Sequence, residues 1–505
     1  MDAAFNFVDG TLNGFIWKAV PWFLIGAGVY FGLRTLFVQI RMVPDMFRAV
    51  AETPKGKDAG GRDLDEDHSG ISAFKAFTIS AASRVGTGNI AGVALAISIG
   101  GPGAVFWMWM LALLGGATSF IESTLAQLWK TKDAEGNYHG GPSYYMTRGL
   151  GWRPLAVVFS LFLAITYGFI YNAIQTNSIV EAVSGSLDND STGIKAVVAV
   201  VVAGLTAAVI FGGVTRIASW TQVIVPFMAG AYILLGVWIL IVNAGEIPGM
   251  ISMIVEHALG IKQVAGAGVG AAFMQGMRRG LFSNEAGMGS APNAAATATV
   301  SHPVKQGLVQ TLGVYFDTLI VCSITAFIVL LGPAVNYGMD DVQGAALTQS
   351  AVADSVGAWG AHAITVILFF LAFSSVIGNY YLAQTNLEYL TDSKTTMTIF
   401  RVVVIGFVVF GAFGSVPLVW AFGDTMAGML AIFNIAAIVP LGGVAIKLLN
   451  NYNEQRRKGI DPVFNREMLP ELPNVEYWDG SDPVTRRSQE DLNALHHPGE
   501  GPRSF

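Results

Sequence analysis

The sequence predicts an all-α integral membrane protein built from eleven membrane-spanning helices. Of its 505 residues, 53% are hydrophobic and only 13% are charged, whereas about 25% of the residues are charged in a typical soluble domain. The 59 glycines suit membrane helices that pack closely together. The net charge of −6 offers no basic footprint for nucleic acid. The single cysteine, Cys322, excludes a disulfide framework and a cysteine-ligated metal centre.

Eleven apolar stretches match the length of a bilayer core, which is about 30 Å thick and needs roughly 20 residues per helix. They are residues 12–38, 71–99, 103–129, 154–182, 194–213, 221–243, 262–280, 307–332, 360–390, 396–416 and 421–449. Polar or glycine-rich stretches interrupt the second, seventh and ninth spans. Because the start of the chain, MDAAFNFVDG, lacks the basic region of a cleaved signal, we expect the first span to be retained.

Lysine and arginine predict the orientation, because they accumulate in cytoplasmic loops. If the first span runs inward, the inner segments collect nearly all of these residues, including Arg278 and Arg279. The outer segments keep only Lys18, Lys195 and Lys262. The predicted outer loops SLDNDSTG and NYGMDDVQG are acidic. We therefore expect a periplasmic N-terminus and a cytoplasmic C-terminus.

The middle of the second span reads Gly86-Thr87-Gly88-Asn89. Each glycine inside a helix costs about 1 kcal/mol relative to alanine, so this segment is a candidate for local unwinding. Unwound backbone at this depth is tolerated where it lines a cavity or is buried in protein. There its amides suit a carboxylate and its carbonyls suit a cation. The alternative is that the glycines mark a tight helix crossing.

The seventh span repeats this pattern, with five glycines between positions 266 and 280. Five spans begin at each interrupted span, and because five is odd the two sets have opposite orientations. Such an inverted repeat is typical of secondary transporters, whose binding site lies at the midplane. We thus divide the chain into a peripheral helix with a solvated linker (1–70), two repeats (71–243 and 244–449), and a polar, partly disordered tail (450–505).

Arg84 lies just before the first interruption, and an arginine near the membrane centre is costly unless it is paired or hydrated. Its candidate partners are Glu122, Glu285 and Asp317. One interpretation is a charge pair that closes the inner gate, with Glu285 as the second gate residue. The other is an arginine that snorkels to the cytoplasmic surface or caps a helix.

Two further groups of polar residues lie at membrane depth. Asn172, Gln175 and Asn177 crowd one helix of the fourth span and must face inward, either to a substrate or to other helices. The hydroxyls of Ser374 and Ser375 suit an alkali cation, although serines also bond back to their own helix.

Three long motifs, GTGNIAGVALAISIGGPGAVFWMWMLALLGGATSFIESTLAQ, GGPSYYM and RRGLFSNEAGMGSAPNAAATA, resemble the alanine or glycine:cation symporter family of bacteria and archaea. The resemblance covers about residues 12–450. It implies the leucine-transporter (APC-type) fold, a 5+5 inverted repeat plus one extra N-terminal helix. It also implies sodium-driven, or in some members proton-driven, uptake of small neutral amino acids, typically alanine and glycine, across the cell (inner) membrane.

The resemblance also implies site residues. The substrate site would comprise Thr87, Gly88, Asn89, Gln175, Phe273, Gly276, Met277, Ser375 and Asn379, with Phe273, Gly276 and Met277 at the break of the sixth core helix. The sodium site would comprise the carbonyls of Ala82, Val85 and Leu371 and the hydroxyls of Ser374 and Ser375. Apart from the co-transported sodium ion, we expect no cofactor.

One departure from the family concerns the segment Gly378-Asn379-Tyr380-Tyr381-Leu382-Ala383-Gln384. Many members have a tryptophan after the glycine, so a large wall beside the pocket is replaced by an amide. We therefore expect a larger or more polar substrate, such as glutamine. The sequence lacks the GxSxG and HExxH motifs and histidines paired at ligand spacing, which argues against an enzyme. A passive channel would lack two equivalent broken helices.

Overall fold

The computed structural model describes residues 5–52, 71–132, 136–261, 268–332, 344–480 and 483–485. The linker and most of the acidic loop NYGMDDVQG lie outside the described residues. Two short strands, β1 (Thr131–Lys132) and β2 (Tyr138–His139), form an antiparallel pair. The rest of the regular structure in the described residues is helical.

The principal helices are α1 (Asn6–Arg34), α2 (Val38–Arg41), α3 (Val43–Ala51), α4 (Ala73–Arg84), α5 (Gly88–Gly100), α6 (Gly103–Leu128), α7 (Pro142–Leu150), α8 (Arg153–Leu187), α9 (Thr192–Ile210), α10 (Gly213–Val242), α11 (Ile247–Ala258), α12 (Val269–Asn284), α13 (Ala291–Ala296), α14 (Pro303–Leu331), α15 (Gly344–Val356), α16 (Trp359–Leu390), α17 (Lys394–Phe413) and α18 (Val416–Arg457). Short 3₁₀ turns occur at Ala244–Glu246, Arg466–Met468 and Pro483–Thr485. Several of the long helices contain a π-helical stretch.

Within the described residues, nine helices are long and apolar enough to cross a membrane: α1, α6, α8, α9, α10, α14, α16, α17 and α18. They correspond to nine of the eleven predicted spans. Large apolar side chains such as Phe227, Leu234 and Trp238 are exposed on them, which suits a lipid-facing surface. The second and seventh predicted spans are absent from this set because their helices are short.

The first interruption is at the predicted position. Helix α4 ends at Arg84, Val85 is extended with φ −83° and ψ 93°, and α5 begins with a π-helical turn. Gly86 has no room for a side chain, because a Cβ there would overlap Ser375 Oγ and lie 3.1 Å from Gln175 Oε1. The segment is therefore both unwound and tightly packed. Local unwinding and a close helix contact, which the sequence offered as alternatives, both occur here.

The second interruption is not where the sequence led us to expect it. Helix α12 is continuous across Phe273, Gly276 and Met277 and ends at Asn284, and Glu285 then has a positive φ of 57°. The glycines inside α12 serve packing: a Cβ on Gly276 would lie 2.5 Å from a backbone oxygen of α6. They allow α12 to lie against α6 and do not unwind it.

The continuity of α12 also changes the position of two arginines. The side chains of Arg278 and Arg279 make ion pairs with Asp424, near the start of α18, and Arg278 also reaches Asp9. The predicted orientation assigns both aspartates to the outer side. The prediction places these arginines and aspartates on opposite sides of the membrane, and that separation is wrong, because the arginines lie within α12 and pair with the aspartates.

The tail is more ordered than predicted. Helix α18 continues to Arg457, and the following residues pack across the end of the helix bundle with Phe464 and Trp478 buried. Trp478 Nε1 donates to the carbonyl of Gln127 at 3.2 Å. Most of the chain beyond 480 lies outside the described residues.

Candidate functional site

The first interruption leaves backbone amides without helical partners, and two side chains satisfy them. Gly86 N donates to Asn89 Oδ1 at 2.8 Å. Thr87 N donates to Gln175 Oε1, on α8, at 3.2 Å. Buried amides need such acceptors. An anionic ligand at this position would find donors that are already directed into the site.

The three polar amides of α8 have different roles. Gln175 reaches the first interruption, as predicted. Asn172 Nδ2 donates to the carbonyl of Gly168 in its own helix at 3.1 Å. Asn177 Nδ2 donates to the carbonyls of Gly411 and Gly414, each at 2.9 Å. Asn172 and Asn177 therefore have structural partners, whereas Gln175 contacts the backbone of the first interruption.

The residues predicted to hold sodium lie close together. Ser375 Oγ is 3.5 Å from the carbonyl oxygen of Val85. The carbonyl of Leu371 accepts from Ser374 Oγ at 2.8 Å and from Ser375 Oγ at 3.1 Å. Helix α16 approaches Ala82 so closely that a Cβ on Gly378 would lie 3.1 Å from it. Both serines bond back to their helix, so ion binding would replace those bonds.

Asn89 links the first interruption to a buried carboxylate that the sequence placed near an inner helix end. Its Nδ2 donates to Asp317 Oδ1 at 2.6 Å. Asp317 Oδ2 accepts from Ser283 Oγ at 2.7 Å and from Thr318 Oγ1 at 2.9 Å. The sequence analysis did not select Ser283. Nothing in the segment RRGLFSNEAG shows whether its serine bonds to a distant carboxylate or only lies at the end of a helix.

The second interruption is organised around carboxylates. Ser290 Oγ donates to Glu285 Oε2 at 2.6 Å. Ser83 Oγ, in α4, lies 2.9 Å from both Glu285 Oε1 and Asn379 Oδ1. Asn379 is thereby connected through Ser83 to the second interruption, although its Nδ2 has no hydrogen-bond partner among the described residues.

Glu122 supports the same interruption from α6. Its Oε1 accepts from Gly287 N at 3.2 Å and its Oε2 accepts from Asn434 Nδ2 at 2.7 Å. Tyr145 in turn donates to Asn434 Oδ1. Since Glu122 is fully buried, this network joins α6, α7 and α18 to the turn between α12 and α13.

Arg84 does not make the predicted ion pair. Its side chain is 2% exposed, which contradicts the snorkelling interpretation, and its Nη1 donates to the carbonyl of Gln310 at 3.3 Å. Among the described residues no carboxylate lies within 4.0 Å of it. Arg84 is therefore a buried base whose hydrogen bond goes to a backbone carbonyl.

Aromatic side chains that the sequence analysis did not select cover the first interruption. Phe282 packs against Tyr171 and Trp420, with ring centroids 4.7 and 4.9 Å apart. A Cβ on Gly88 would lie 2.9 Å from Phe282 Cδ1. Arg279, paired with Asp424, lies over the Trp420 ring at 4.7 Å. These residues are distant in sequence, so no local pattern identifies the cluster.

The remaining residues predicted to line the substrate pocket belong to α12, and two of them contact α6. The ring of Phe273 packs against Trp107 of α6, with centroids 4.9 Å apart, and against Trp22 of α1 at 5.7 Å. Gly276 faces the backbone of α6, and Met277 is buried. Their role in lining a substrate pocket stays a prediction.

The chain is similar to known transporters along almost its whole length. The chain is 48% identical to the amino-acid carrier protein AlsT of Bacillus subtilis over 95% of this chain and 99% of that protein. It is 40% identical to the probable sodium/glutamine symporter GlnT of the same organism over 96% and 98%. It is 38% identical to the sodium/alanine symporter AgcS of Methanococcus maripaludis over 88% and 97%.

The chain also matches the profile of a protein family. The profile of the sodium:alanine symporter family matches residues 1–466, which includes both interruptions and the first part of the tail. The protein is therefore a multi-pass membrane transporter and not an enzyme. The chain belongs to the sodium:alanine symporter family.

Proposed function

We propose that the protein is a sodium-coupled symporter that imports a small neutral amino acid by alternating access. The observation that carries the proposal is the convergence of Gly86, Gln175 and Ser375 at an unwound, buried point of a membrane helix. Backbone amides there would bind the substrate carboxylate, with Thr87, Gly88, Asn89 and Gln175 as the first contacts. Asn379 and Ser375 would complete the wall.

We assign the chain the leucine-transporter fold, with its two five-helix halves in opposite orientations. Equivalent helices of the two halves pack against each other: α6 against α14, α8 against α16, and α9 against α17. A twofold axis between the halves would produce these contacts. Each half also has a short extra helix, α7 or α15, between its second and third spans. These observations support the division at 71–243 and 244–449.

The extra helices support the same symmetry in a second way. Thr348 Oγ1 of α15 donates to the carbonyl of Ile90 at 3.1 Å, beside the first interruption. In α7, Pro142 lies close to Gly289, in the second interruption. Each extra helix therefore abuts the broken segment of the opposite half, as an inverted repeat requires.

Sodium would bind between α4 and α16, using the carbonyls of Ala82, Val85 and Leu371 with the hydroxyls of Ser374 and Ser375. These are hard oxygen ligands of the kind that alkali and alkaline-earth cations prefer. An ion there would hold α16 against the first interruption and favour substrate binding. The inward sodium gradient would then drive transport, since each charge gains about 2.3 kcal/mol per 100 mV of membrane potential.

The ion pair between Arg279 and Asp424 and the aromatic cluster of Tyr171, Phe282 and Trp420 would form the outer gate. Arg84 and Glu285 lie on the other side of the interruption, where they would belong to the inner gate. In the proposed orientation the N-terminus is outside and the C-terminus is cytoplasmic. Protease protection of tags at the two termini tests this orientation directly.

Uptake into proteoliposomes tests the function. We expect labelled alanine to accumulate above its external concentration only when an inward sodium gradient is present, and not with potassium. Matched liposomes containing Asp424→Asn protein should show much slower accumulation. Equal uptake without any ion gradient would contradict symport and indicate a passive pathway.

The substrate preference is a separate proposal. One relative is named a probable sodium/glutamine symporter, and the amide nitrogen of Asn379, beside the site, has no partner among the described residues. We propose that glutamine competes with alanine. Glutamine should therefore inhibit alanine uptake less strongly in Asn379→Leu than in the wild type. Identical profiles would show that Asn379 does not select the substrate.

Proton coupling is the second candidate. Three carboxyl groups, those of Glu122, Glu285 and Asp317, are buried beside the two interruptions. Excess negative charge in a low-dielectric interior is costly, and protonation or sodium binding would each remove it. A proton gradient imposed without sodium separates the two cases: accumulation under that condition alone would favour proton coupling.

A further inference from the structure

A cavity of about 390 Å³ opens between the ends of α1 and α18. Three arginines line it: Arg34 at the end of α1, Arg41 at the end of α2, and Arg457 at the end of α18. Leu36 and Leu449 contribute apolar walls. The cavity lies far from both interruptions in sequence, and the transport mechanism proposed above makes no use of it.

Within the described residues, the arginines of this cavity have no carboxylate partner. Arg34 Nη1 donates to Tyr30 OH at 2.9 Å, and Arg41 Nη2 donates to the carbonyl of Thr35 at 3.4 Å. Glu454, the one acid in the lining, is engaged by Lys458 Nζ at 3.0 Å. In the described part of the chain, none of the three guanidinium groups lies within 4.0 Å of a carboxylate.

The adjacent residue on α18 provides a contrast. Arg456 makes an ion pair with Asp45 of α3. An arginine at the end of α18 can therefore be neutralised by a neighbouring carboxylate. Arg457, one residue further, is directed to the cavity and is exposed. The positive charge of the cavity is therefore concentrated on arginines that no carboxylate of the described residues neutralises.

The surface beside the cavity is apolar. Leu36 is 71% exposed and Ile40 is 59% exposed. Leu36 and Phe37 both have left-handed backbone conformations, with φ of 55° and 54°, which are uncommon for such residues. This turn reverses the chain after α1 and keeps an apolar side chain next to the arginines. A ligand that matches the whole surface has an anionic head and an apolar body.

We propose that this cavity binds the phosphate head group of an anionic phospholipid, whose acyl chains lie along Leu36 and Ile40. Arginine suits phosphate because its planar donors form paired hydrogen bonds. Basic pockets between membrane helices bind such head groups. Inorganic phosphate shares the head-group chemistry, but it would leave the exposed leucine and isoleucine unexplained.

Native mass spectrometry of the purified full-length protein tests the proposal. After exposure to phosphatidylglycerol, we expect a lipid adduct on the wild type, and at least tenfold lower occupancy on the triple variant Arg34→Gln/Arg41→Gln/Arg457→Gln. Phosphatidylcholine should give little adduct on either protein. Arg153→Gln is the matched control, because Arg153 is exposed outside the cavity, and it should bind as the wild type does.

Thermal unfolding in detergent provides the second readout. Phosphatidylglycerol should raise the melting temperature of the wild type by several degrees, and inorganic phosphate at millimolar concentration should not. If the triple variant does not fold, the single variant Arg457→Gln replaces it, with a smaller loss of occupancy expected. Equal lipid occupancy in the wild type and the folded variant would overturn the proposal. An equal stabilisation by phosphate alone would overturn it in favour of a free-anion site.

Discussion

The two interrupted membrane segments differ in how their free backbone groups are satisfied. At the first, neutral side chains suffice: Asn89 and Gln175 accept from the amides of Gly86 and Thr87. At the second, a carboxylate joins the neutral side chains: Glu122 accepts from Gly287 N, Asn284 Oδ1 accepts from Ala286 N, and a second carboxylate, Glu285, accepts from the Ser290 hydroxyl. The first interruption comprises residues 85–87, whereas the second extends over the turn from Glu285 to Ser290.

We infer from this difference that the two interruptions have different functions. Neutral partners leave the first interruption free to receive a charged group from a substrate. Buried carboxylates make the second sensitive to cations and protons, since an unpaired negative charge in the interior is costly. The first interruption is therefore the better candidate for substrate binding, and the second for the coupling of charge to movement. The following variants test that distinction, beginning with the largest expected effect.

The substitution Gly86→Ala should abolish transport. Its Cβ would overlap Ser375 Oγ and crowd Gln175 Oε1, displacing the residues that meet at the first interruption. We expect sodium-dependent alanine uptake to fall at least about tenfold, which corresponds to roughly 1.4 kcal/mol or more. Gly204→Ala is the control, because a Cβ at Gly204 meets nothing within 4 Å. Wild-type uptake by Gly86→Ala would remove the first interruption from the substrate site.

The substitution Glu122→Ala should destabilise the second interruption. It leaves Gly287 N and Asn434 Nδ2 without the acceptors that they use in the folded protein. Each unsatisfied buried donor costs about 1–3 kcal/mol, so the melting temperature in detergent should fall clearly. Glu122→Gln keeps one acceptor oxygen and should recover part of the loss. If alanine and glutamine behave alike, hydrogen bonding is not what holds this turn.

The substitution Gln175→Leu should weaken substrate binding more than it weakens the fold. It removes the acceptor for Thr87 N, and we expect the KM for alanine to rise about tenfold, or roughly 1.4 kcal/mol. Asn177→Leu is the comparison within the same helix. Its two bonds go to the carbonyls of Gly411 in α17 and of Gly414 just beyond the end of that helix, so the substitution should lower the melting temperature and leave the KM nearly unchanged. The reverse pattern would exchange the roles of the two residues.

The smallest effect is expected for Ser290→Ala. It removes one donor to the buried Glu285 carboxylate and should cost about 1 kcal/mol of stability, measured as a shift of a few degrees in melting temperature. Ser252→Ala removes the same kind of bond, to Glu256, at an exposed position. Exposed bonds of this type contribute little, so no shift is expected there. Matching shifts would mean that burial does not strengthen the Glu285 network.

Much of the membrane architecture follows from local sequence. Nine apolar runs predict nine spanning helices because hydrophobic length alone determines which segments fit a bilayer. The first interruption is also predictable, since two glycines and an asparagine weaken a helix wherever they lie. Gln175 could be selected because a membrane helix has few reasons to carry three amides.

The sequence misplaced the second interruption because glycine has two roles in membranes. In α12, Gly276 permits close contact with α6, whereas the break begins at Glu285, a residue with no strong preference for ending a helix. The tail was misjudged for a related reason. Its buried anchors, Phe464 and Trp478, are isolated in a polar stretch, and only the surface on which they pack reveals their function.

By itself, the sequence determined that this chain spans the membrane many times, where its apolar helices lie, and that one of them is broken at Gly86. Those features depend on composition and on local conformational preference. Only the tertiary structure decided which polar residues meet. The grouping of Asn89 with Asp317, of Glu285 with Ser83, and of Arg279 with Asp424 joins helices far apart in the chain. Such contacts depend on how helices pack, which no local window of sequence encodes.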